Sequence, residues 1–370
     1  LKKPIKIFGK ELKNIHLVYA VLVRTKIGIK FTDKIVEKLK GKTKAIGYIC
    51  IAVGIICAVY MAYLLISHVI TQLISPKASI QAVAFVLPFK VKGALYVPLI
   101  YWLMSILTLA VIHEFGHALI ARAYGIKVKY TGPAFFGIII PLIPAAYVEP
   151  DEEEIKRRSR RQQLSVYAAG SSFNIISGIF FLILLLFMAP LANNFVDMDG
   201  VQVDSILSKN LEKLGLKEGQ VITGLTFGSN YYKIRSMEDF ARILVNEKPG
   251  TNVLIETSDN SFYYHRLESH PKAPSAAMMG VTLTQHESIK EEAIQKYGVL
   301  TIKIVRWVKG LLLWLSLLSI GIGFFNLLPM IPLDGGLMVK SLTQGTRFGN
   351  HITMGISGIF LFILILLFFV

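Results

Sequence analysis

Charged residues are scarce in this chain of 370 residues, and their scarcity excludes an ordinary soluble protein. Asp, Glu, Lys and Arg together make up 17% of the sequence, hydrophobic residues make up 53%, and the mean hydropathy is +0.55. A typical soluble domain has about a quarter of its residues charged. The composition therefore predicts a membrane protein that crosses the bilayer several times.

Acidic residues are few beside basic ones, with 24 against 40 and a net charge of +16. Such an excess could suit nucleic acid, but 13 of the 40 Lys and Arg residues lie within residues 1–44, ahead of the first long apolar run. A nucleic-acid groove would interleave aromatic and basic residues on a folded domain. We therefore predict a basic cytoplasmic juxtamembrane segment at 1–44, facing anionic lipid, and no nucleic-acid partner.

Cysteine is almost absent, and the two that occur cannot form a disulfide with each other. Cys50 and Cys57 lie in one predicted helix. Seven residues of helix separate them by about 10 Å, which is beyond disulfide reach. They carry no information about the compartment. The beginning of the sequence also lacks a short apolar core followed by a small-residue cleavage site, so we expect no signal peptide.

Long apolar runs are frequent, and about 20 apolar residues suffice for a spanning helix. The runs lie at 45–76, 93–112, 164–191, 299–328 and 349–370. The predicted fold class is a polytopic α-helical membrane protein with about five spanning helices, a re-entrant segment and an inserted α+β domain. After the basic segment, we predict a first transmembrane helix at 45–76 and a membrane core in two parts, at 93–191 and 299–370. The insert lies between these two parts, at 197–285.

The apolar stretch at 130–148 is not a regular spanning helix, because two glycines and three prolines interrupt it. Irregular backbone is tolerated at membrane depth only where protein buries it or where it lines a wet cavity. We therefore expect a re-entrant or hairpin segment beside a functional site.

The charge pattern also predicts an orientation. The connector at 148–163 has its acidic residues first and its basic residues later, which favours a cytoplasmic interfacial helix beginning near Asp151. Counting spans from a cytoplasmic amino end places the insert outside the cell membrane. The same count brings His113 and Asp334 near the cytoplasmic face.

The sequence "VIHEFGHALI" at 111–120 places two histidines and a carboxylate in an apolar helix. His113 and His117 are four residues apart, so both imidazoles lie on one helix face and can bind one zinc ion. Glu114 can then accept a proton from water held by the metal, as in the H-E-x-x-H motif of zinc hydrolases. The alternative is a pair of structural histidines, but an adjacent carboxylate adds a desolvation cost.

A catalytic zinc needs a third protein ligand, and Asp334 is the candidate. It lies in "FFNLLPMIPLDGG" at 324–336, where prolines and glycines are expected to break the helix and aim the carboxylate. An Asp-Gly-Gly sequence after proline is also typical of a simple turn. Because the histidine pair is expected at the same depth in the membrane, we predict that Asp334 is a zinc ligand and not only part of a turn.

These motifs together resemble the site-2 protease family of intramembrane zinc metalloproteases. "HEFGH" matches the first family motif, "NLLPMIPLDG" at 326–335 matches the second, and Gly170 and Asn174 in "AAGSSFN" match the G-x-x-x-N spacing of a third. Ser171 stands where the family usually has proline, which puts the local helix geometry in doubt. The resemblance covers 99–336 and implies that Asn326 and Asn174 position the substrate backbone or stabilise the oxyanion. Each asparagine could instead bond a neighbouring helix.

The insert resembles a PDZ domain between residue 200 and about residue 283, with "GVQVDSIL" and "LGLKEGQVITGL" in the expected order. PDZ domains bind extended peptides, often carboxyl ends, by strand addition. The alternative is a steric gate against substrates with large external domains, and the sequence does not separate the two.

The resemblance implies hydrolysis of a peptide bond within or beside a transmembrane helix of a membrane-protein substrate, with bound Zn²⁺ and Glu114 as general base. One alternative is a non-catalytic scaffold that holds clients through its PDZ-like insert, although its motifs would be expected to decay. Another is a metal transporter, which would need more polar residues along the spans.

Overall fold

The computed structural model describes residues 5–7, 10–12, 19–39, 41–74, 84–91, 94–137, 143–271 and 273–369. Parts of the predicted regions lie outside these ranges, namely much of the basic segment, residues 75 and 76 of the first span, and the middle of the segment at 130–148. The chain divides into two compact units, Leu1–Leu186 with Val308–Val370, and Phe187–Trp307.

The helices of the described ranges are α1 (Ile29–Lys38), α2 (Lys42–Ile74), α3 (Leu99–Ala123), α4 (Glu152–Arg157), α5 (Arg160–Asn193), α6 (Lys209–Lys213), α7 (Met237–Leu244), α8 (Glu291–Tyr297), α9 (Val299–Asn326), α10 (Asp334–Thr343) and α11 (Gly349–Phe369). The strands are β1 (Ile5–Ile7), β2 (Lys10–Leu12), β3 (Tyr19–Leu22), β4 (Phe85–Leu87), β5 (Ala94–Tyr96), β6 (Val128–Gly137), β7 (Ile143–Pro150), β8 (Val196–Ile206), β9 (Val221–Phe227), β10 (Asn230–Lys233), β11 (Asn252–Thr257), β12 (Phe262–Arg266), β13 (Glu268–His270), β14 (Ala273–Met278) and β15 (Val281–Ile289).

Among the described helices, α2, α3, α5, α9 and α11 are long and apolar enough to cross a membrane, which confirms the expected five spans. Their outer faces carry large exposed apolar side chains, such as Ile56 and Tyr63 on α2 and Phe187 on α5. Side chains of this kind would be unfavourable in water and are at home against lipid tails. The protein is therefore an integral membrane protein.

Small residues allow the helices around the first unit's core to pack closely. A Cβ atom on Gly116 of α3 would lie 2.8 Å from the carbonyl oxygen of Ala169 on α5, and one on Gly54 of α2 would lie 2.9 Å from Cβ of Ala168. Glycine and alanine are typical of such contacts between membrane helices. As a result α3, which carries the H-E-x-x-H motif, lies directly against α5.

The segment expected to be re-entrant contains an antiparallel pair, β6 and β7, whose register places Gly132 opposite Tyr147. Its prolines do not prevent pairing, since Pro133 accepts a hydrogen bond from Val23 N through its carbonyl oxygen. Strand β3 pairs with the other side of β6, so the sheet order is β3-β6-β7. Part of the predicted basic juxtamembrane segment therefore belongs to a sheet, which its composition did not indicate.

The charged connector begins as its sequence predicts. Asp151 caps α4, and its carboxylate accepts hydrogen bonds from the backbone N–H groups of Glu153 and Glu154. Acidic residues fill the first turn and basic residues the last, which complements the helix dipole.

The second unit contains a sheet of order β12-β11-β9-β8-β15, with β10 paired to β9. Its buried side chains include Val201, Leu225, Val253 and Phe240, the last contributed by α7. Helix α7 begins with a capping box between Ser236 and Asp239. The strands run from 196 to 289, which is one residue before the predicted insert at 197–285 and four residues after it.

Candidate metal centre

Helix α3 brings the two predicted histidine ligands together. The Nε2 atoms of His113 and His117 are 3.1 Å apart, as expected for side chains one turn apart on the same helix face. His117 Nδ1 lies 2.8 Å from the carbonyl oxygen of Val166 on α5. Because a carbonyl only accepts, Nδ1 carries the proton of the neutral ring, and Nε2 keeps its lone pair for a metal.

Asp334, the first residue of α10, supplies a carboxylate at the same point. Its Oδ1 lies 3.4 Å from His117 Nε2, and its Oδ2 lies 3.5 Å from His113 Nε2. One ligand atom from each of the three residues can be chosen so that all three lie within 4.8 Å of one another. The sequence predicted this set of three, and the structure brings it together.

The glycines after Asp334 have a different role from the one we expected. They do not break a helix, since both lie in the first turn of α10. A Cβ atom on Gly335 would lie 2.1 Å from the carbonyl oxygen of Leu327, and one on Gly336 would lie 2.4 Å from the carbonyl carbon of Met330. Glycine therefore lets α10 start directly against the chain that leaves α9, and this contact sets where Asp334 lies.

The donor set fits zinc. Two imidazole nitrogens and one carboxylate match the three protein ligands of a catalytic zinc site, which leaves a fourth position for water or substrate. The two Nε2 atoms lie 3.1 Å apart, which is close enough for one ring to donate its proton to the other nitrogen or for both lone pairs to bind one cation. These three residues could therefore hold a metal ion.

Glu114 lies beside the three ligands and is held by the hairpin. Its Oε2 accepts a hydrogen bond of 2.8 Å from the backbone N–H of Val148 on β7. This bond fixes one carboxylate oxygen and leaves the other available for a second partner. Strand β7 is at one edge of its sheet, so Glu114 occupies part of that edge.

A cavity of about 470 Å³ links the ligands to a charged surface. It is lined by His117 and Asp334 and also by Lys129, Glu149 and Glu152. Nearby, Lys129 Nζ lies 2.9 Å from Asp151 Oδ2. This hydrogen bond raises the pKa of Lys129 and lowers the pKa of Asp151, so both stay charged at neutral pH. The cavity therefore borders two of the three predicted ligands and has a partly charged wall.

The two asparagines of the family motifs lie in different surroundings. Asn174 on α5 is fully buried, and its Nδ2 is 3.3 Å from His113 Nδ1. Asn326 is the half-buried last residue of α9, where the chain turns toward α10. The structure thus brings Asn174 to a ligand, whereas it leaves Asn326 at the end of a helix.

Three groups at the site were missed by sequence reasoning. The carbonyl oxygen of Val166 and the backbone N–H of Val148 leave no signature in a sequence, because every residue except proline has both groups. Ser171 was noticed only as a departure from the family pattern, yet its hydroxyl donates to Asp334 Oδ2 at 2.6 Å. Its position one residue after Gly170 and three before Asn174 was the available signal.

Comparison with known proteins agrees with this chemistry. The sequence model of peptidase family M50 matches residues 101–369. An uncharacterized protein of Methanocaldococcus jannaschii, MJ0971, is 27% identical over 334 residues, covering 88% of this chain and 78% of the relative. A Helicobacter pylori protein named "Putative zinc metalloprotease" is 26% identical over 298 residues, covering 62% of this chain and 83% of the relative.

Proposed function

Because the chain belongs to peptidase family M50, the site-2 protease family, we propose that it hydrolyses peptide bonds within or beside transmembrane helices of membrane-protein substrates. The observation that carries the proposal is the convergence of His113, His117 and Asp334 on membrane-protein helices, with Glu114 adjacent. Membership of the family implies a membrane metalloprotease that uses zinc.

In the proposed mechanism, His113 and His117 hold zinc through Nε2, and Asp334 holds it through its carboxylate. When bound, zinc supplies Lewis acidity and lowers the pKa of water. Glu114 is the general base. Its free oxygen takes a proton from the attacking water and later gives it to the leaving amine nitrogen, while Val148 N–H keeps the carboxylate in place.

The substrate helix must unwind locally before attack, because its carbonyl groups are engaged in its own hydrogen bonds. Strand β7 offers an edge to which an unwound segment can pair, and that edge contains Val148, whose N–H bonds Glu114. Pairing there would bring a scissile bond near the base. The position of the β7 edge beside Glu114 therefore supports a substrate that binds in extended form.

We propose that Asn326 stabilises the oxyanion, since a half-buried amide at the end of α9 can donate a hydrogen bond. For Asn174 the family resemblance implies a similar role, but its contact with His113 favours support of the ligand over contact with substrate. A side-chain amide can either donate to the oxyanion or bond a metal ligand, so the Asn326→Ala and Asn174→Ala variants are needed to separate the two roles.

We also propose that the second unit is a PDZ-like domain outside the cell membrane and that the metal centre lies near the cytoplasmic face. A sheet with two short helices, α6 and α7, supports the domain type. A cysteine placed at Ser229 should react with an impermeant reagent in intact cells. Reaction only after the membrane is opened would contradict this orientation. Peptide binding and size filtering both remain open roles for the domain.

The alternative is a non-catalytic scaffold that binds clients through the same domain. The complete ligand set and a correctly placed Glu114 argue against it, because a scaffold has no need to keep them. The test combines zinc analysis of the purified protein with cleavage of a helical substrate in detergent. We expect one zinc per chain and cleavage that stops when the metal is removed. Zinc-free, inactive protein that still binds clients would favour the scaffold.

A further inference from the structure

Each of the three metal ligands has a hydrogen-bond partner on α5. The carbonyl oxygen of Val166 lies 2.8 Å from His117 Nδ1, the side-chain amide of Asn174 lies 3.3 Å from His113 Nδ1, and Ser171 Oγ donates to Asp334 Oδ2 at 2.6 Å. Because an amide NH2 group only donates, Asn174 supports metal binding at His113 Nε2 when its amide oxygen accepts from Nδ1–H. Partners of this kind hold metal ligands in their binding orientation. One helix thus organises a site whose ligands come from two others.

The spacing on α5 explains how one helix can serve all three. Residues 166, 170 and 174 are separated by four, so they lie along one face, with residue 171 beside them. Gly170 is in the middle of this face, and a Cβ atom there would lie 2.3 Å from His117 Nε2 and 2.7 Å from His113 Nε2. The missing side chain is what lets α5 approach the imidazoles.

The hydroxyl of Ser171 is used differently from those of Ser165 and Ser177, two other serines of α5. Ser165 and Ser177 donate to carbonyl oxygens of the preceding turn of their own helix, at 2.9 and 3.0 Å. That is the usual bond of a helical serine. Ser171 is fully buried and instead donates to a carboxylate 163 residues away. A hydrogen bond to an ionised acceptor in a buried site is short and strong.

We propose that Ser171 is the positioning residue for Asp334, fixing the rotation of its carboxylate so that it faces both histidines. The inference rests on the proposed role of Asp334 as a zinc ligand. It assigns to this chain a support that the family's usual proline cannot give, since proline has no hydroxyl. The Ser171 side chain is fully buried and its hydroxyl bonds Asp334, so we assign it an effect on the reaction through Asp334.

Ser172 offers a matched control for Ser171. It is the next residue of α5, it is equally buried, and it donates to the carbonyl oxygen of Cys50 at 3.0 Å. Ser171→Ala and Ser172→Ala therefore each remove one buried hydroxyl from the same turn. We expect Ser171→Ala to weaken zinc binding by about 10- to 100-fold, the usual effect of losing such a partner. Ser172→Ala should bind zinc like the wild type.

A second pair of variants keeps the test valid if Ser171→Ala leaves a cavity that destabilises the protein. Ser171→Thr and Ser171→Val have the same shape and differ only in the hydroxyl, so Thr should bind zinc more tightly than Val by a similar factor. Zinc affinity is measured by chelator competition on the full-length protein. The visible spectrum of the Co²⁺-substituted protein reports ligand geometry without any need for activity, and it should shift in Ser171→Ala and Ser171→Val alone.

The outcomes separate this inference from the proposed function. If the wild type binds zinc but Ser171→Ala binds it as tightly as Ser172→Ala, and Val as tightly as Thr, the positioning role is wrong whether or not the protein cleaves a substrate. If zinc affinity falls as expected but the wild type never cleaves, the positioning role holds and the protease assignment fails. A wild type that binds no zinc would overturn both.

Discussion

The two units of the protein each contain a histidine near an aspartate, and they use it differently. In the first unit, His117 and His113 share Asp334, all three are largely buried, and the two Nε2 atoms lie 3.1 Å apart. In the second, His286 Nδ1 bonds Asp199 Oδ1 at 2.6 Å with both side chains more than a third exposed. The described residues place no third ligand beside that pair. The convergence of three possible ligands, and not a His–Asp contact alone, distinguishes the candidate metal centre.

Replacing the two aspartates should give the largest contrast. Asp334→Ala removes a zinc ligand, so the purified protein should lose most of its zinc and all measurable cleavage. Asp199→Ala removes only an exposed partner of His286, and it should keep one zinc per chain. Elemental analysis of both variants checks this. Full zinc in Asp334→Ala would contradict the ligand assignment.

Glu114→Gln should sharpen the comparison within the first unit, because it changes a residue beside the ligands without removing one. The amide can still accept from Val148 N–H, so the fold and the zinc content should stay the same. Loss of the base should reduce turnover by about 10²- to 10⁴-fold. Single-turnover cleavage of a helical substrate measures the loss, and near-normal rates would exclude Glu114 as the base.

Asn326→Ala should have a smaller effect on the same reaction. If its amide donates to the oxyanion, the variant should keep its zinc and lose about 10²- to 10³-fold in kcat, the usual scale for one donor. Asn174→Ala is the comparison, since an amide bonded to His113 should affect zinc affinity instead. Equal zinc loss in the two variants would show that both asparagines support ligands.

The smallest effect concerns pH and the second unit. His265 is buried there, and desolvation lowers its pKa, although Glu268 opposes this. A lowered pKa in the folded state means that the unfolded chain binds the proton more readily. Stability is therefore full above about pH 6.5, the ordinary value, and declines as pH falls through the folded pKa. His265→Gln should flatten this decline in thermal unfolding, and an unchanged profile would contradict the assignment.

Sequence spacing was sufficient to predict which side chains come together at the candidate metal centre, because helical geometry converts spacing directly into position. His113 and His117 must share a face at four residues' separation, and zinc then requires a third donor such as Asp334. The five spans followed from apolar length for a similar reason. In both cases a local rule determines the structure.

The rest depended on contacts between residues far apart in the chain. The pairing of β3 with β6 joins residues more than 100 positions apart, and nothing in the basic composition of the amino segment indicates it. The bond from Ser171 to Asp334 could not be predicted either, because a helical serine usually bonds the backbone of its own helix. Where the hydroxyl points instead depends on the residues that pack beside it. The close contact of Gly335 with Leu327 likewise appears only once α9 and α10 are placed.

The missing side chain at Gly170 gives a criterion for reading related sequences. Any Cβ at that position would overlap both imidazoles, so a chain could retain H-E-x-x-H and the distant aspartate and still be unable to assemble the centre. Inactive descendants of such enzymes are usually sought by loss of the histidines or the glutamate. A side chain in place of this glycine would identify an inactive descendant in which every motif residue that does the chemistry is still present.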